Sequence, residues 1–291
     1  MASTSVTLND LLPTIVQEAM FVANERSIMR GLVKNYSLAP TQGKTIQVPI
    51  FPVQTAVALT EGNDFGSGTG LVDVSTDVAT FNVGQVGIAT MVTDLAVNAS
   101  ASNVVADLGR LFGEAVARKI DTDLMELFSS FTTNTVGNTS TNITPALVMQ
   151  AITKLRNQGI SADGIACVLH PSIAYDLKSS LTTSGSTNFT SGAYGDVANE
   201  AMRMGYIGQL FGVPVYESAN CPASGQEAGD YKGGVFHREA LGFGLMRDIQ
   251  IETQRRARAI GTDIVCSAMY GTGVVYEKYG TYASFDASIS W

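Results

Sequence analysis

Val104-Val-Ala-Asp-Leu-Gly-Arg-Leu-Phe-Gly-Glu-Ala-Val-Ala-Arg-Lys-Ile-Asp-Thr-Asp-Leu-Met-Glu-Leu-Phe-Ser-Ser-Phe131 is the stretch on which the fold turns. Val104, Leu108, Phe112, Val116, Ile120, Leu124, Leu127 and Phe131 recur at spacings of three or four, which predicts one helix with a single apolar stripe. Arg110 to Glu114 and Glu114 to Arg118 are i,i+4 pairs on its outer face. Such a helix is about 40 Å long, the diameter of a domain, so it is expected to act as a spine on which other elements pack.

On its N-terminal side the texture is different. From Thr45 to about Asp94 apolar and polar residues alternate, with Ile46, Val48 and Ile50 on one face and Pro49 and Pro52 interrupting. This predicts a long β-hairpin with its tip at Glu61 to Gly70 and a return strand through Val72, Val74 and Val78 to Phe81 and Val83. A hairpin with so few bulky apolar residues is expected to project from the body. Further upstream, Thr7 with Asp10 opens an amphipathic helix carrying Leu11, Ile15, Ala19 and Val22 and ending near Gly31. It has to lay its apolar stripe on this subunit or on a neighbour.

On the C-terminal side a helix is predicted from Pro145 to about Gln158, with Gly159 as its stop. A buried strand, Ile165 to His170, follows, then a helix from Pro171 through Leu177, a helix around Val197 to Met204, and the turn-rich Gly208 to Glu217. This alternation reads as a compact α/β or α+β domain. The last quarter is strand-like, with Ile249, Ile251 and Thr253 alternating and Ile264-Val-Cys, Val274-Val-Tyr and Tyr282-Ala-Ser-Phe set between glycines. These strands need a helix to pack on. The spine is the natural choice, so the packing domain is discontinuous in sequence and the chain as a whole is α+β.

Composition narrows the function. With 291 residues, 45% of them hydrophobic, the chain is long enough to bury roughly three quarters of its unfolded surface, which excludes wholesale disorder. Only 15% of residues are charged, against about 25% in an ordinary domain, so surface that meets other protein is expected. The net charge of −8 argues against a main task of gripping phosphates. No apolar run reaches the roughly 18 residues of a membrane span, and MASTSVTLND has no secretory pattern. Cys167, Cys221 and Cys266 are far apart and odd in number, which fits reduced thiols.

Signals for chemistry are sparse. His170 and His237 have no second ligand at a metal-binding spacing, and Cys167 beside His170 sits in an apolar strand, so a buried, inert thiol is expected. There is no GxSxG, P-loop or HExxH motif. Gly66-x-Gly68-x-Gly70 has no helix after it and no lysine nearby, and reads as a turn. Asp121 and Asp123 lie two apart on the spine and so do not face each other. The one basic cluster is Arg255, Arg256 and Arg258, between two C-terminal strands, for which carboxylates on a protein are the better partner. No catalytic residue, metal or cofactor is indicated.

Taken in order, an N-terminal arm, a projecting hairpin, a spine helix, an inserted α/β domain and returning strands resemble the Hong Kong 97 fold of tailed-bacteriophage major capsid proteins. The phrases that carry the resemblance are Thr45-Ile-Gln-Val-Pro-Ile50 leading to Leu59-Thr-Glu-Gly62, Gly113 to Asp121, Val168-Leu-His-Pro171 with Tyr175-Asp-Leu177, Gly212-Val-Pro-Val-Tyr-Glu-Ser218, Val235 to Leu241, and Arg247 to Glu252. The resemblance implies five parts: a helical arm (1–36), an extended hairpin (37–95), a peripheral domain with the spine (96–144), an axial domain (145–246), and returning peripheral strands (247–291). It implies self-assembly as hexamers and pentamers into an icosahedral virion shell, built in the host cytoplasm around double-stranded DNA that is contacted weakly and without sequence specificity. A scaffolding protein is an expected partner, since the arm begins almost at Met1. A portal and a decoration protein are the others, with no membrane involved. In the resembled family the axial domain surrounds the capsomer axis, the hairpin lies over a neighbour, and a loop, here about Thr253 to Thr262, meets its equivalents near three-fold positions. Some members weld the shell through a hairpin lysine and a C-terminal asparagine. This chain has no Lys between Lys44 and Lys119 and no Asn after Asn220, which excludes that bond here.

Five residues are candidates for contact between subunits: Glu61 and Asp64 at the hairpin tip, and Arg255, Arg256 and Arg258 on a neighbour. The alternatives are an encapsulin-like nanocompartment shell within the same fold and, from another class, an α+β hydrolase with a site around His170.

Overall fold

A computed structural model describes residues 27–37, 43–51, 76–95, 104–161, 163–183, 209–224 and 229–289, together with 56, 58 and 61 singly. The spine helix runs Val104–Glu126 and tightens into a 3₁₀ turn, Leu127–Ser130. Phe112, Val116, Ile120 and Leu124 are buried, as their spacing requires, and the tightened turn also brings in Phe128 at 0% exposure. The stripe lies against a four-stranded sheet made of β1 (Lys34–Ser37), β4 (Gly84–Thr93), β10 (Leu241–Arg256) and β11 (Gly261–Val274), in the order β1-β10-β11-β4. Val86, Ile88, Ile249, Ile264, Cys266, Ala268 and Tyr270 supply the sheet's side of this core. Residues from the spine, from the strand before it and from the last quarter of the chain therefore share one core.

The hairpin is shorter than the alternation predicts. β2 (Thr45–Ile50) pairs antiparallel with β3 (Asp77–Asn82), but the chain then leaves the ribbon and β4 pairs with β11 instead. The reason is burial. Val86, Ile88 and Val92 face one way, and a free ribbon would leave them in water where the spine can cover them. At its root, Ile46 and Phe81 form a small cluster with Val275. That cluster rests on a glycine strip. A Cβ at Gly244 would collide with the side chain of Ile46, and one at Gly273 would lie 2.6 Å from Phe81 Cβ.

A second, six-stranded sheet has the order β5-β12-β9-β6-β8-β7, from β5 (Thr135–Val136), β6 (Ile165–Leu169), β7 (Gln209–Leu210), β8 (Val213–Glu217), β9 (Asp230–His237) and β12 (Gly280–Asp286). Helices Pro145–Asn157 and Pro171–Thr183 share its core through Val148, Ile152, Leu155, Ile173 and Leu177. The first helix is capped by Thr144, which accepts from Leu147 N, and Gly159 (φ 79°) ends it, as the sequence predicts. Two expectations differ. β12 was placed among the peripheral strands but joins β9 here, because Ala283 and Phe285 belong to the second core. The boundary between 246 and 247 falls inside β10, a continuous strand of 16 residues. Of the predicted N-terminal helix, the described part is helical at Met29–Leu32, while the helix predicted around 197–204 lies outside the described residues.

Candidate functional site

The 3₁₀ turn Ala257–Ala259 joins β10 to β11 at one end of the sheet, and β4 runs beside β11 up to that turn, with Thr93 opposite Gly261. Arg255 Nη1 and Nη2 donate to Asp94 Oδ1 and Oδ2 at 2.5 and 2.6 Å, and Arg256 Nε lies 2.5 Å from Asp263 Oδ2. The bidentate pair holds the Asp94 carboxyl below the usual carboxylate range and the Arg255 guanidinium above its own. Arg258, exposed in the turn, has no ion-pair partner among the described residues. Ile260 follows at φ 46°, a left-handed conformation rare for a β-branched residue, and is 65% exposed. Its carbonyl accepts from Asp94 N at 3.0 Å, and Leu95, next along, is 77% exposed. The tip thus presents two large apolar side chains beside one free and two neutralised guanidinium groups.

The five candidate contact residues are not brought together within one chain. Arg255, Arg256 and Arg258 share the tip, Glu61 is exposed, and Asp64 lies outside the described residues. Asp94 and Asp263, which neutralise two of the arginines, could not be paired with them by sequence spacing, since the strand register that joins Asp263 to Gln254 appears only on folding.

The residues weighed for chemistry have structural work. Cys167 is buried in β6, and burial alone pushes its thiol up to about 12, so no thiolate forms near neutral pH. His170 stacks on Tyr231 with ring centroids 3.5 Å apart, and its Nδ1 accepts from Ser172 N at 3.3 Å at the start of the following helix. Asp123 pairs with Lys119 at 2.6 Å and accepts from Tyr270 Oη at 2.8 Å. Among the described residues no group of three His, Cys, Asp or Glu side chains could hold a metal, and no helix is long and apolar enough to cross a membrane.

Large apolar side chains facing solvent are instead spread over the elements. Phe51 (62%) and Val78 lie on the hairpin, Met91 and Val265 on the sheet, Leu111 on the spine, and Met149 and Tyr175 on the two helices of the second layer. Single exposed apolar residues are ordinary, but here they recur on several elements of a chain in which only 15% of residues are charged, which leaves broad neutral surface.

The chain thus combines a spine helix packed on one sheet, a second sheet sharing a core with two helices, a two-stranded hairpin and apolar side chains left open along them. A sequence profile of the phage capsid protein family matches residues 76–284. The chain belongs to that family, and is a structural protein of the capsid shell, located in the virion. No curated protein matches it. Among solved structures it is similar to the capsid of the cyanophage P-SCSP1u (TM-score 0.68, 16% identity, 90% of this chain and 89% of that one). It is similar also to a chain of Mycobacterium phage Che8 (TM-score 0.67, 20% identity, 89% and 90%). A virus-like particle from Pyrococcus furiosus shares the fold as well (TM-score 0.62, 10% identity, 94% and 98%). At these identities the likeness shows the fold, which is the tailed-phage capsid fold the sequence resembles.

Proposed function

We propose that the chain assembles as hexamers and pentamers into an icosahedral head around double-stranded DNA, with a scaffolding protein during assembly, a portal at one vertex and room for a decoration protein. The axial domain surrounds the capsomer axis, and the hairpin lies over a neighbouring subunit. The observation that carries this reading is the hairpin itself. Its exposed face bears Phe51 and Val78, and the whole segment from Thr45 to Gly109 contains no Lys or Arg, so it offers apolar and acidic surface to a neighbour. Glu61 and Asp64 then approach the tip arginines of that neighbour. Arg258 is the first candidate, because Arg255 and Arg256 already hold carboxylates of their own chain. Ile260 and Leu95 add apolar contact at the same tip.

Electron microscopy of the purified chain tests the reading: closed shells of tens of nanometres support it, and small discrete particles sink it. Glu61→Arg is expected to impair assembly, with partial recovery on adding Arg258→Glu. Normal shells from the first variant alone would remove the pairing while leaving the shell function intact. Each such pair is worth only about 0–1 kcal/mol, but a closed shell repeats it many times.

The likeness to the Pyrococcus furiosus virus-like particle favours one second reading, a nanocompartment that encloses protein. Gradient-purified shells that hold protein cargo and no nucleic acid would select it. A hydrolase around His170 is disfavoured by the stacked, half-buried imidazole and by the protonated Cys167 beside it.

A further inference from the structure

Six of the described strands lie at sheet edges: β1 and β4 in the first sheet, β5 and β7 in the second, β2 and β3 in the hairpin. A bare strand edge is a template for another chain, and proteins ordinarily blunt it with shortness, charge or proline. Five of these six are blunted in that way. β1 has four residues and opens on Lys34, β5 and β7 have two each, β2 carries Pro49, and β3 opens on Asp77. β4 is the exception. Gly84-Gln-Val-Gly-Ile-Ala-Thr-Met-Val-Thr93 has ten residues, none charged and none proline, and every one pairs with β11 without a register shift.

The direction of its free groups follows from one bond. Asp94 N donates to Ile260 O at 3.0 Å, continuing the register in which Thr93 faces Gly261. Hydrogen-bonded residues alternate along an antiparallel ladder, so the amides and carbonyls of Gln85, Gly87, Ala89 and Met91 point away from β11. All four residues are exposed, and no described strand lies beyond them. On the spine side of the same strand Val86, Ile88 and Val92 pack on the first core but are only partly buried.

We infer that this edge is completed by a second copy of the chain, whose residues 53–60 add a strand beside β4. The inference rests on the reading that the hairpin lies over a neighbouring subunit, and it says where. Val53-Gln-Thr-Ala-Val-Ala-Leu-Thr60 matches β4 in length, has no charge or proline, and alternates in hydrophobicity. Ala56 and Ala58 are exposed in their own chain. Glu61 comes next in sequence, and Arg258 lies in the turn beside Thr93, so bringing the two together makes the added strand run parallel to β4 with Thr60 near Thr93. The sheet already holds one parallel edge strand, β1 on β10. In this register Val53, Val57 and Leu59 share the face of Val86, Ile88 and Val92 and extend their cover, while Ala56 and Ala58 lie beside Ala89 and Met91. Main-chain hydrogen bonds hold the strand, and the alternating side chains set its register.

Cysteine pairs in shells of the full chain test the edge. Ala56→Cys with Ala89→Cys, and Ala58→Cys with Met91→Cys, are expected to give disulfide-linked multimers on exposure to oxidised glutathione, the native cysteines being buried. Ala89→Pro removes an outward amide and spares the ladder to β11, and should raise the subunit concentration at which shells appear by about tenfold. Ala89→Val keeps the amide and should leave that concentration within about twofold of the parent. The cysteine pairs decide the matter if Ala89→Pro fails to fold. Disulfides confined to single chains overturn the pairing. So do shells that form neither link and in which Ala89→Pro stays within about twofold of the parent. Both results leave the hairpin's overlap standing, because Glu61→Arg reads that overlap separately. A parent chain that forms no shells removes the overlap and the pairing together.

Discussion

Glu277 receives four hydrogen bonds on one oxygen. Thr132 N (3.0 Å), Thr132 Oγ1 (2.6 Å), Thr133 N (3.0 Å) and Thr133 Oγ1 (3.0 Å) all donate to its Oε1, pinning the end of the spine to the crossing between β11 and β12. The Thr132 hydroxyl foremost holds this carboxyl below its ordinary value, against an opposing push from burial and with further help from Thr133 and the Thr132 amide. A carboxyl whose pKa is lower folded than unfolded stabilises the fold above the ordinary carboxylate range and loses that contribution as the pH falls through the folded value. Glu277→Gln is expected to cost about 0.5–1 kcal/mol at neutral pH, after allowing for solvent screening of so exposed a group. In urea unfolding the gap to the parent should close in acid. His170 carries the same sign in a higher pH window, from a different cause. Burial lowers its pKa, so the unfolded chain takes up a proton first, near about pH 6.5, and stability present above that pH is lost as the pH falls toward the folded value. His170→Gln should flatten the drop in thermal midpoint between about pH 7 and about pH 5.5, and an unchanged slope would exclude His170 as its source. Neither role was legible in the sequence. Local spacing shows that His170 ends a strand, but Tyr231 above its ring and the threonines around Glu277 come from distant segments.

Elements set by local periodicity are those the sequence predicts well. The spine, the Thr144-capped helix and the buried strand at Ile165 each carry their own pattern and their own stop, so nothing distant is needed to place them. The hairpin is different. Its apolar positions continue past Asn82 with a change of face, from Phe81 and Val83 to Val86, Ile88 and Val92, and the placing of Gly84–Thr93 at the sheet edge rather than in the ribbon goes with its pairing to β11 and the spine's apolar stripe. The same holds for β12, whose short apolar pattern suits either sheet. Two substitutions probe these junctions. Phe128 packs on Phe131 and Phe236 and against the Cα of Gly234, and Phe128→Ala should cost about 3–5 kcal/mol, measured by denaturant unfolding of unassembled subunits. Gly244→Val should cost about 1–3 kcal/mol by driving the Ile46 side chain off the sheet. It should also reduce assembly further than Phe128→Ala does at matched stability, because it tilts the hairpin at its root. Equal assembly by the two at matched stability would mean that the hairpin's angle is set elsewhere.

At the scale of the whole molecule, low charge and high net charge act against each other. Only 15% of residues are charged, which leaves broad neutral surface for neighbours to cover, yet each copy carries a net −8 and copies must approach closely. The proposed pairing of Glu61 with Arg258 would weaken with salt, whereas repulsion between like-charged subunits acts wherever two copies approach. Burial of the exposed side chains of Phe51, Val78, Leu95 and Ile260 against a neighbour, as proposed, would be insensitive to screening. Raising salt from about 0.05 to about 0.5 M shortens the Debye length severalfold, so it should lower the subunit concentration at which shells appear. Light scattering during titration of subunits at several salt concentrations measures that threshold. A threshold that rises with salt would mean that specific ion pairs, rather than relief of repulsion and apolar burial, govern closure, and would place the weight of assembly on the tip arginines. The acidic bias of the segment from Thr45 to Gly109 gives the same titration a second reading. If repulsion between that segment and the acidic body of its neighbour is the barrier, Asp77→Asn should lower the threshold at low salt and change nothing at high salt.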